Sequence, residues 1–416
     1  MALSRPATRP TATVVGGGPA GLMCAEVLAT AGLAVTVYEH MPSVGRKFLL
    51  AGRSGLNLTH SEPIERLLSR YGTGRDCLAA SIDAFGPAEL RSWCDSLGEP
   101  TFVGSTGQVF PASLRATPLL RAWLVRLASL NVRMRVRHRW LGWSEADDGV
   151  ADPRRSLFSG PNGDDVEIAS DVTVLALGGA SWPRVGSDGT WVDTLRRAGV
   201  TVNELRPANC GMHVDWSQHF ADRFAGIPLK NVAMDVAGVS VRGDAMVSRS
   251  GIEGGPVYTH AAALRDAIDR DGQCTMVIDL HPDIDVDQLF ARLQRRRPKD
   301  SVTTFLRRTI GLTPVSISLL REVTGNRVPT DPAALAHLVK AVPLLIESTM
   351  PIERAISTAG GISLDEIEAS FMLRRLPGVF VAGEMLDWEA PTGGYLLQAS
   401  FSTAVAAARG AIAFLR

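Results

Sequence analysis

The chain has 416 residues, with 43 Lys plus Arg against 43 Asp plus Glu, so its formal net charge is zero, and 45% of its residues are hydrophobic. That length supports two or three domains with well-buried cores, and the neutral balance supplies no global field to recruit nucleic acid or an anionic membrane. No eighteen consecutive residues are apolar, which argues against a membrane span.

The five cysteines, Cys24, Cys77, Cys94, Cys210 and Cys274, are odd in number, scattered and without a C-x-x-C. This fits a reducing cytoplasm and argues against structural zinc or a redox disulfide, so no metal site is expected. Residues 1–11 read as a polar, Pro-containing tail expected to be disordered. Arg5 and Arg9 ahead of an apolar run imitate a signal peptide, but that run is better explained as strand, turn and helix.

Thr13, Val14 and Val15 are strand formers, and residues 22–31 read as helix. Between them Gly16, Gly18 and Gly21, with Pro19 and Ala20 inside the motif, have the G-x-G-x-x-G spacing. In such a turn the first glycine makes the bend, the second lets a pyrophosphate approach the backbone, and the third brings helix close to strand. The helix start then offers N–H groups and partial positive charge to the phosphates. A second strand, 34–39, ends in Glu39, an acid at the spacing that binds ribose hydroxyls. All these parts in register over about thirty residues point to a dinucleotide rather than an ordinary turn; NAD and FAD both fit.

Residues 41–60 alternate glycines with cations, including Gly45, Arg46, Lys47, Asn57 and His60, which suits a loop and helix start against an anionic cofactor or a solvated surface loop. Residues 61–100 and 118–130 look helical, Thr117 being a candidate N-cap with Pro118 at the first helical position. Residues 132–140 alternate apolar with basic, the period of one half-buried strand whose arginines face solvent. Strands at 156–159 and 166–169, around a turn at 161–164, add a small meander. An unbroken apolar strand, 172–177, runs into Gly178-Gly179-Ala180-Ser181, as a central parallel strand does when its carboxyl end meets a ligand.

From 206 to about 280 short β-like runs and glycines dominate, and 286–347 is helical by pattern, with Asp331-Pro332 as N-cap and first turn. The run Arg295-Arg296-Arg297-Pro298-Lys299 reads as a solvated helix end. The α/β texture then returns: Thr358-Ala359-Gly360-Gly361-Ile362 precedes a strand at 378–384, and Gly393-Gly394 opens a long Ala-rich helix. A strand ending in Gly383-Glu384, then glycines opening a helix, repeats the logic of the N-terminal cradle and implies a second contact with the same ligand.

Gly45-Arg46-Lys47-Phe48, Gly179-Ala180-Ser181-Trp182-Pro183, Gly226-Ile227-Pro228-Leu229-Lys230-Asn231-Val232, Thr358-Ala359-Gly360-Gly361 and Gly383-Glu384-Met385-Leu386-Asp387 through Gly393-Gly394-Tyr395 carry a likeness to a known family. Over nearly its whole length the chain resembles the BaiN/YhiN-type bacterial NAD(P)/FAD-dependent oxidoreductases. The resemblance implies an α/β fold: a Rossmann-type FAD-binding domain of parallel sheet plus β-meander, made from residues 1–205 and 351–416. An inserted β-plus-helical domain, 206–350, would cover the substrate side. It further implies FAD held by Gly16, Gly18, Gly21 and Glu39, the loop from Gly45 to Asn57 along pyrophosphate and ring, and the backbone near Val136 at the adenine. Glu384 or Asp387 would bind the ribityl chain or phosphates, and the helix opening at Gly393-Gly394, with Tyr395 and Leu396 in its first turn, would face the flavin pyrimidine.

Three departures stand out. Relatives carry Gly-Gly-Gly-Arg-Cys-Asn where this chain has Gly52-Arg53-Ser54-Gly55-Leu56-Asn57, their Gly-Gly-Tyr-Asn-Leu-Gln is here Gly393-Gly394-Tyr395-Leu396-Leu397-Gln398, and a Phe-Thr-His stretch is here Val247-Ser248-Arg249. The expected activity is hydride transfer from NAD(P)H through FAD to a small, enone-like or polycyclic organic substrate; flavin oxidase or monooxygenase activity and a non-catalytic redox-sensing flavoprotein are the alternatives. With one glycine fingerprint, NAD(P)H would bind transiently near the flavin or be replaced by another donor. Tyr395, His60, Lys47 and Arg249 are the candidate proton donors. No nucleic acid or membrane partner is expected.

Overall fold

Thr11–Val15 forms the middle of a five-stranded sheet in which every strand runs parallel to its neighbours. The order across it is Val379–Val381, Val172–Leu175, Thr11–Val15, Ala34–Glu39, Arg133–Val136. Val14 lies in register with Val174 on one side and Val37 on the other, and all three are buried, as in a sheet covered on both faces. The computed structural model describes residues 9–52, 55–145, 151–297 and 299–416. The tail expected to be disordered, Arg53 and Ser54 of the glycine-rich loop, and Pro298 of the charge run therefore fall, wholly or up to Met1–Thr8 in the case of the tail, outside the described residues.

The chain divides into two compact units, one of residues 1–206 with 357–416 and one of residues 207–356. In the first, the helix Pro19–Thr30 packs on the C-terminal helix Tyr395–Phe414. Small buried side chains at Ala404, Ala407 and Ala408 line that helix, and Cys24 Sγ donates to the Ala404 carbonyl at 3.2 Å. Arg139–Glu145, Ala151–Ser159 and Asp165–Ala169 form the three-stranded antiparallel meander, tied to the parallel sheet by Tyr38 stacked on Phe158 at 4.3 Å.

The single strand expected over 132–140 is two strands in two sheets. Arg137 takes a positive φ of 61°, so Arg133–Val136 ends in the parallel sheet and Arg139 begins the meander. Alternation reports a half-buried face and says nothing about which sheet supplies it. Residues 61–100 divide into Ile64–Leu68, a 3₁₀ turn, Arg75–Ala84 and Pro87–Ser96 before the strand Thr101–Val103. The next helix, Ala116–Ser129, starts earlier than expected: Arg115 occupies the N-cap, and Thr117 lies inside the helix.

The second unit has its own apolar core around a seven-stranded antiparallel sheet. Its helices Val286–Leu293, Val302–Ile310, Pro314–Val323 and Pro332–Lys340 each begin at a side-chain cap: Asp285, Ser301, Thr313 and Asp331. The helical pattern expected to 347 stops at Lys340. Val342–Ile346 is a strand paired with Cys274–Asp279, its residues alternately buried and exposed; five residues are too few to separate a period of two from one of 3.6. Among the described residues no helix is long and apolar enough to cross a membrane, and no group of three or more His, Cys, Asp or Glu is placed to hold a metal.

Candidate functional site

The glycine turn has three different tasks. A Cβ on Gly16 would strike the Ala176 carbonyl, and one on Gly21 would strike the Gly16 carbonyl, so both positions are closed by packing. A Cβ on Gly18 would meet nothing within 4 Å: that position opens onto free space at the start of the helix Pro19–Thr30. The helix has no side-chain cap and no acidic residue in its first turn, so its positive pole is uncompensated. These are the features of a phosphate site.

Around it the cradle is held by backbone. Glu39 Oε2 accepts the Gly17 N–H at 2.8 Å and Oε1 the Met41 N–H at 2.8 Å, which fixes the carboxylate while lone pairs remain for ribose hydroxyls. The Gly45 N–H donates to the Gly17 carbonyl at 2.8 Å, joining the 41–57 segment to the turn. Val136 is in register with Glu39 at the sheet edge, and its carbonyl meets His138 Nδ1 at 2.8 Å. Beside the turn, Gly16, Tyr38, His40, Trp140, Gly186 and Asp188 help line a small open recess. The buried Trp140 indole N–H has no partner there.

The C-terminal segment reaches the same place. A Cβ on Gly383 would lie 2.8 Å from that of Ala20, beside Pro19 in the first turn. Lys47 Nζ donates to Glu384 Oε2 at 2.6 Å and to Ser181 Oγ at 2.7 Å, and Glu384 Oε1 accepts the Thr358 N–H at 3.1 Å. Thr358 Oγ1 accepts the Ala180 N–H at 2.9 Å and closes over Gly179, while the Gly178 carbonyl is held by the Trp191 indole at 2.9 Å. Asp387 accepts from Asn203 Nδ2 at 2.6 Å. Lys47 and Glu384, 337 residues apart, thus share one ion-paired cluster.

A third group surrounds the start of the long C-terminal helix. Gly393 and Gly394 both have positive φ, 131° and 97°, and the helix has neither a side-chain cap nor an acid in its first turn. A Cβ on Gly394 would lie 2.7 Å from Asn57 Oδ1, a buried oxygen without a hydrogen-bond partner. Away from that helix, in the segment that Gly45 joins to the glycine turn, Arg46 Nε is also buried and unpartnered, although its Nη1 reaches Ser43 at 3.3 Å. Leu396, in the first turn, gives its carbonyl to Ser400 Oγ at 2.8 Å.

Tyr395 donates to Glu62 Oε1 at 2.7 Å and stacks on His60 with centroids 5.4 Å apart. Glu62 also accepts both Arg70 Nε at 3.1 Å and Nη2 at 2.9 Å. Burial works against the Glu62 carboxylate, but the hydrogen bonds from Arg70 and Tyr395 outweigh it and hold the carboxyl below its ordinary range. Burial, reinforced by that hydrogen bond and the Glu62 charge, pushes the Tyr395 phenol up. His60 Nδ1 accepts the Glu62 N–H at 3.1 Å, so Nε2 carries the proton and donates to the Thr106 carbonyl at 3.1 Å.

Of the four candidate proton donors, Tyr395 and His60 are adjacent, and Lys47 is in the ion-paired cluster. Arg249 lies in the second unit, exposed, 2.9 Å from Asp222. Sequence reasoning missed Glu62 and Arg70 and quoted Ser181 and Thr358 within motifs without giving them a role, because these roles exist only through distant partners. It also missed Glu26, which accepts the Trp93 and Trp123 indoles at 3.1 and 2.6 Å and Arg126 at 3.1 Å. An acid inside the otherwise apolar helix PAGLMCAEVLAT was a legible signal.

The arrangement fits an adenine dinucleotide flavin: an open glycine facing an uncapped helix, a held carboxylate at the ribose position, and two buried unpartnered polar atoms, Asn57 Oδ1 beside a second uncapped helix and Arg46 Nε in the segment that Gly45 joins to the glycine turn. Comparison with known proteins agrees on the fold. The chain is 25% identical over 415 residues to the 3-dehydro-bile acid delta(4,6)-reductase of Clostridium scindens, covering 96% of this chain and 98% of that one. It is 22% identical over 419 residues to the ribosomal RNA dihydrouridine synthase of Escherichia coli, covering 97% and 98%. Among solved structures, 3-ketosteroid delta1-dehydrogenase from Sterolibacterium denitrificans matches with a TM-score of 0.53 at 11% identity over 97% of this chain and 99% of that one. The open conformation of a flavocytochrome c3 fumarate reductase matches at 0.52 and 13% identity, over 98% and 79%. The profile of the HI0933-like protein Rossmann domain matches residues 10–410, and the chain belongs to that family.

Proposed function

We propose that this protein is an FAD-dependent reductase that takes hydride from NAD(P)H and delivers it to an electron-poor C=C bond conjugated with a carbonyl. The observation that carries the flavin is the convergence of Gly18 and the Lys47–Glu384–Ser181 cluster, which brings the two ends of the chain to one cradle. The substrate class rests on what the names of two relatives have in common: a delta(4,6)-reductase and a dihydrouridine synthase each saturate a C=C bond.

When bound, FAD supplies the hydride relay. The protein's residues supply the rest. Gly18 and the helix behind it receive phosphate, Glu39 receives ribose hydroxyls, and Asn57 Oδ1 offers an acceptor beside Gly394. The start of the helix Tyr395–Phe414, without a side-chain cap or an acid in its first turn, would stabilise negative charge on a flavin held beside it by about 1 kcal/mol. Lys47 keeps one N–H free after Ser181 and Glu384, whereas the Tyr395 proton is held by Glu62 and the His60 proton by Thr106. Lys47 is therefore the candidate to donate toward a developing negative charge, and Tyr395 and His60 are positioning residues.

The test is anaerobic titration of the yellow protein with NADH and NADPH, followed by an enone such as a 3-keto-Δ4 steroid. Bleaching by a nicotinamide and recolouring by the enone are expected. Failure of both nicotinamides to bleach the flavin overturns the donor, and recolouring by air but not by any enone turns the reading to an oxidase.

A further inference from the structure

Of the eight tryptophans in the chain, five donate the indole N–H to a carbonyl or carboxylate, and Trp140 packs edge to face on Trp143 with centroids 4.9 Å apart. Trp182, in the motif Gly179-Ala180-Ser181-Trp182-Pro183, is only half-buried and has neither a hydrogen bond nor a ring partner among the described residues. Its backbone is left-handed, with φ 61° and ψ 59°. A bulky residue rarely takes that conformation, and the following Pro183 narrows the choice further. Such strain persists where the surrounding structure enforces it, and it collects at ligand sites. Both flanks of Trp182 are fixed. Ser181 is buried and accepts from Lys47 at 2.7 Å, and the one-turn helix Pro183–Val185 runs on to Gly186, where a Cβ would stand 2.9 Å from Met41 Cγ.

Two arginines accompany this tryptophan. Arg184 lies in the one-turn helix itself, and Arg137 comes to the same Met41, its N–H donating to the Met41 carbonyl at 3.1 Å. Arg137 is left-handed as well, with φ 61°. Both are exposed, and neither guanidinium has a hydrogen bond or an ion pair among the described residues. The acids close by are already engaged: Glu39 holds the Gly17 and Met41 N–H groups, and Asp188 pairs with Arg139 at 3.0 Å and accepts from Thr190 at 2.8 Å.

We propose that Trp182, Arg184 and Arg137 bind the adenosine 2′-phosphate end of NADPH, which makes NADPH rather than NADH the electron donor. This site rests on the reductase reading and names its donor. For hydride to pass, the nicotinamide ring has to lie against the flavin. The ring left over is the donor's adenine, which needs a platform of its own, and an indole that no other ring engages supplies one. FAD does not account for the two free guanidinium groups: its pyrophosphate is met by Gly18 and the helix behind it, and it carries no phosphate monoester. A monoester is a dianion that arginine forks bind bidentately, and an arginine close to the ribose is what admits a 2′-phosphate in nucleotide-binding folds. The place selects the ligand. The three residues belong to segments anchored on Met41 and Lys47, at the cradle itself, where a donor has to come.

The experiment is isothermal titration of the FAD-loaded full chain with adenosine 2′,5′-bisphosphate and with adenosine 5′-monophosphate, the donor half with and without the deciding phosphate. The bisphosphate is expected to bind at least about tenfold more tightly. R184Q and R137Q should each weaken the bisphosphate at least about fivefold, whereas R121Q, at an exposed first-unit arginine with the same change in charge, should stay within about twofold of wild type. W182A should weaken both fragments by about fivefold or more, and W182F, which keeps a ring, should recover most of that loss. R184Q and R137Q alter exposed side chains, so they decide the matter even where W182A does not fold. In stopped-flow measurements the second-order rate of flavin bleaching by NADPH should exceed that by NADH at least about tenfold, and R184Q should lower that ratio. Equal affinity for the two fragments, equal effects of R184Q and R121Q, equal bleaching by the two nicotinamides, or release of FAD by the bisphosphate overturns the proposal. Failure of both nicotinamides to bleach the flavin overturns the reductase reading, and the fragment titration then decides the site by itself.

Discussion

Glu62 is the most heavily engaged acid near the C-terminal helix, accepting from Tyr395 and twice from Arg70. Its depressed pKa makes a signed prediction. A carboxyl whose folded pKa lies below its unfolded value contributes stability above the unfolded value, near 4.3, and loses it as pH falls through the folded one. E62Q should therefore cost about 1–3 kcal/mol at neutral pH. The difference from wild type should shrink below about pH 4 as the wild-type carboxyl takes up its own proton. Urea melts at pH 7 and pH 3.5 check this; a gap that widens in acid contradicts the assignment. Y395F, by contrast, keeps the ring on His60 and should leave flavin content unchanged. K47M, which strands the Glu384 carboxylate, should lower FAD affinity by about tenfold or more, read by flavin fluorescence on titration. Residues of this kind separate what a sequence discloses from what it conceals. Lys47 and Glu384 stand in legible motifs at opposite ends of the chain, but nothing in their surroundings says that they meet. Glu62, in the bend before the helix Ile64–Leu68, and Arg70, eight residues on in the 3₁₀ turn, gain their role only beside Tyr395, 333 positions from Glu62.

At the scale of the element, the glycine turn separates folding from binding. G18A places a methyl in open space and should leave the melting temperature of the ligand-free protein within a degree or two while reducing FAD affinity by about tenfold or more, since a methyl at the pyrophosphate approach blocks the backbone. G21A drives a methyl into the Gly16 carbonyl and should destabilise the ligand-free protein by about 1–3 kcal/mol. Calorimetry with and without FAD distinguishes the two, and equal effects on stability would contradict the geometry. The neighbouring helix carries a second device. Glu26 binds the indoles of Trp93 and Trp123 and the guanidinium of Arg126, so one carboxylate ties the helix Pro19–Thr30 to Pro87–Ser96 and Ala116–Ser129. The strand–turn–helix–strand unit was legible because each part follows from local chemistry: β-formers, glycines, a terminal acid. The strand expected over 132–140 was not, because its division depends on one left-handed arginine and on which sheet claims each half. The strand Val342–Ile346 was hidden for a related reason, its neighbour Cys274–Asp279 being about seventy residues away.

At the scale of the molecule, two apolar cores exist, one in each unit, and the cradle lies wholly in the first. A ligand that binds only the folded form of one unit stabilises that unit by RT ln(1 + [L]/Kd) and leaves the intrinsic stability of the other unchanged. At a free FAD concentration of about one hundred times Kd this is about 2.7 kcal/mol, and for units of this size it raises the midpoint by roughly 5–10 °C. Scanning calorimetry of the full chain should therefore resolve two transitions that move apart or together on addition of FAD, only one of them shifting with ligand concentration. The optical probes are already in place. Flavin fluorescence reports release from the first unit, and Trp216, the sole tryptophan between 207 and 356, reports the second. Its ring is buried against Phe220 with centroids 4.7 Å apart and its indole N–H donates to the Gly251 carbonyl at 3.1 Å, so its emission shifts when that core opens. With the melt of W216F subtracted to isolate its signal, the Trp216 transition should stay where it is as FAD is added while flavin release moves upward. A Trp216 midpoint that rises in parallel with flavin release would mean that the two cores melt as one cooperative unit.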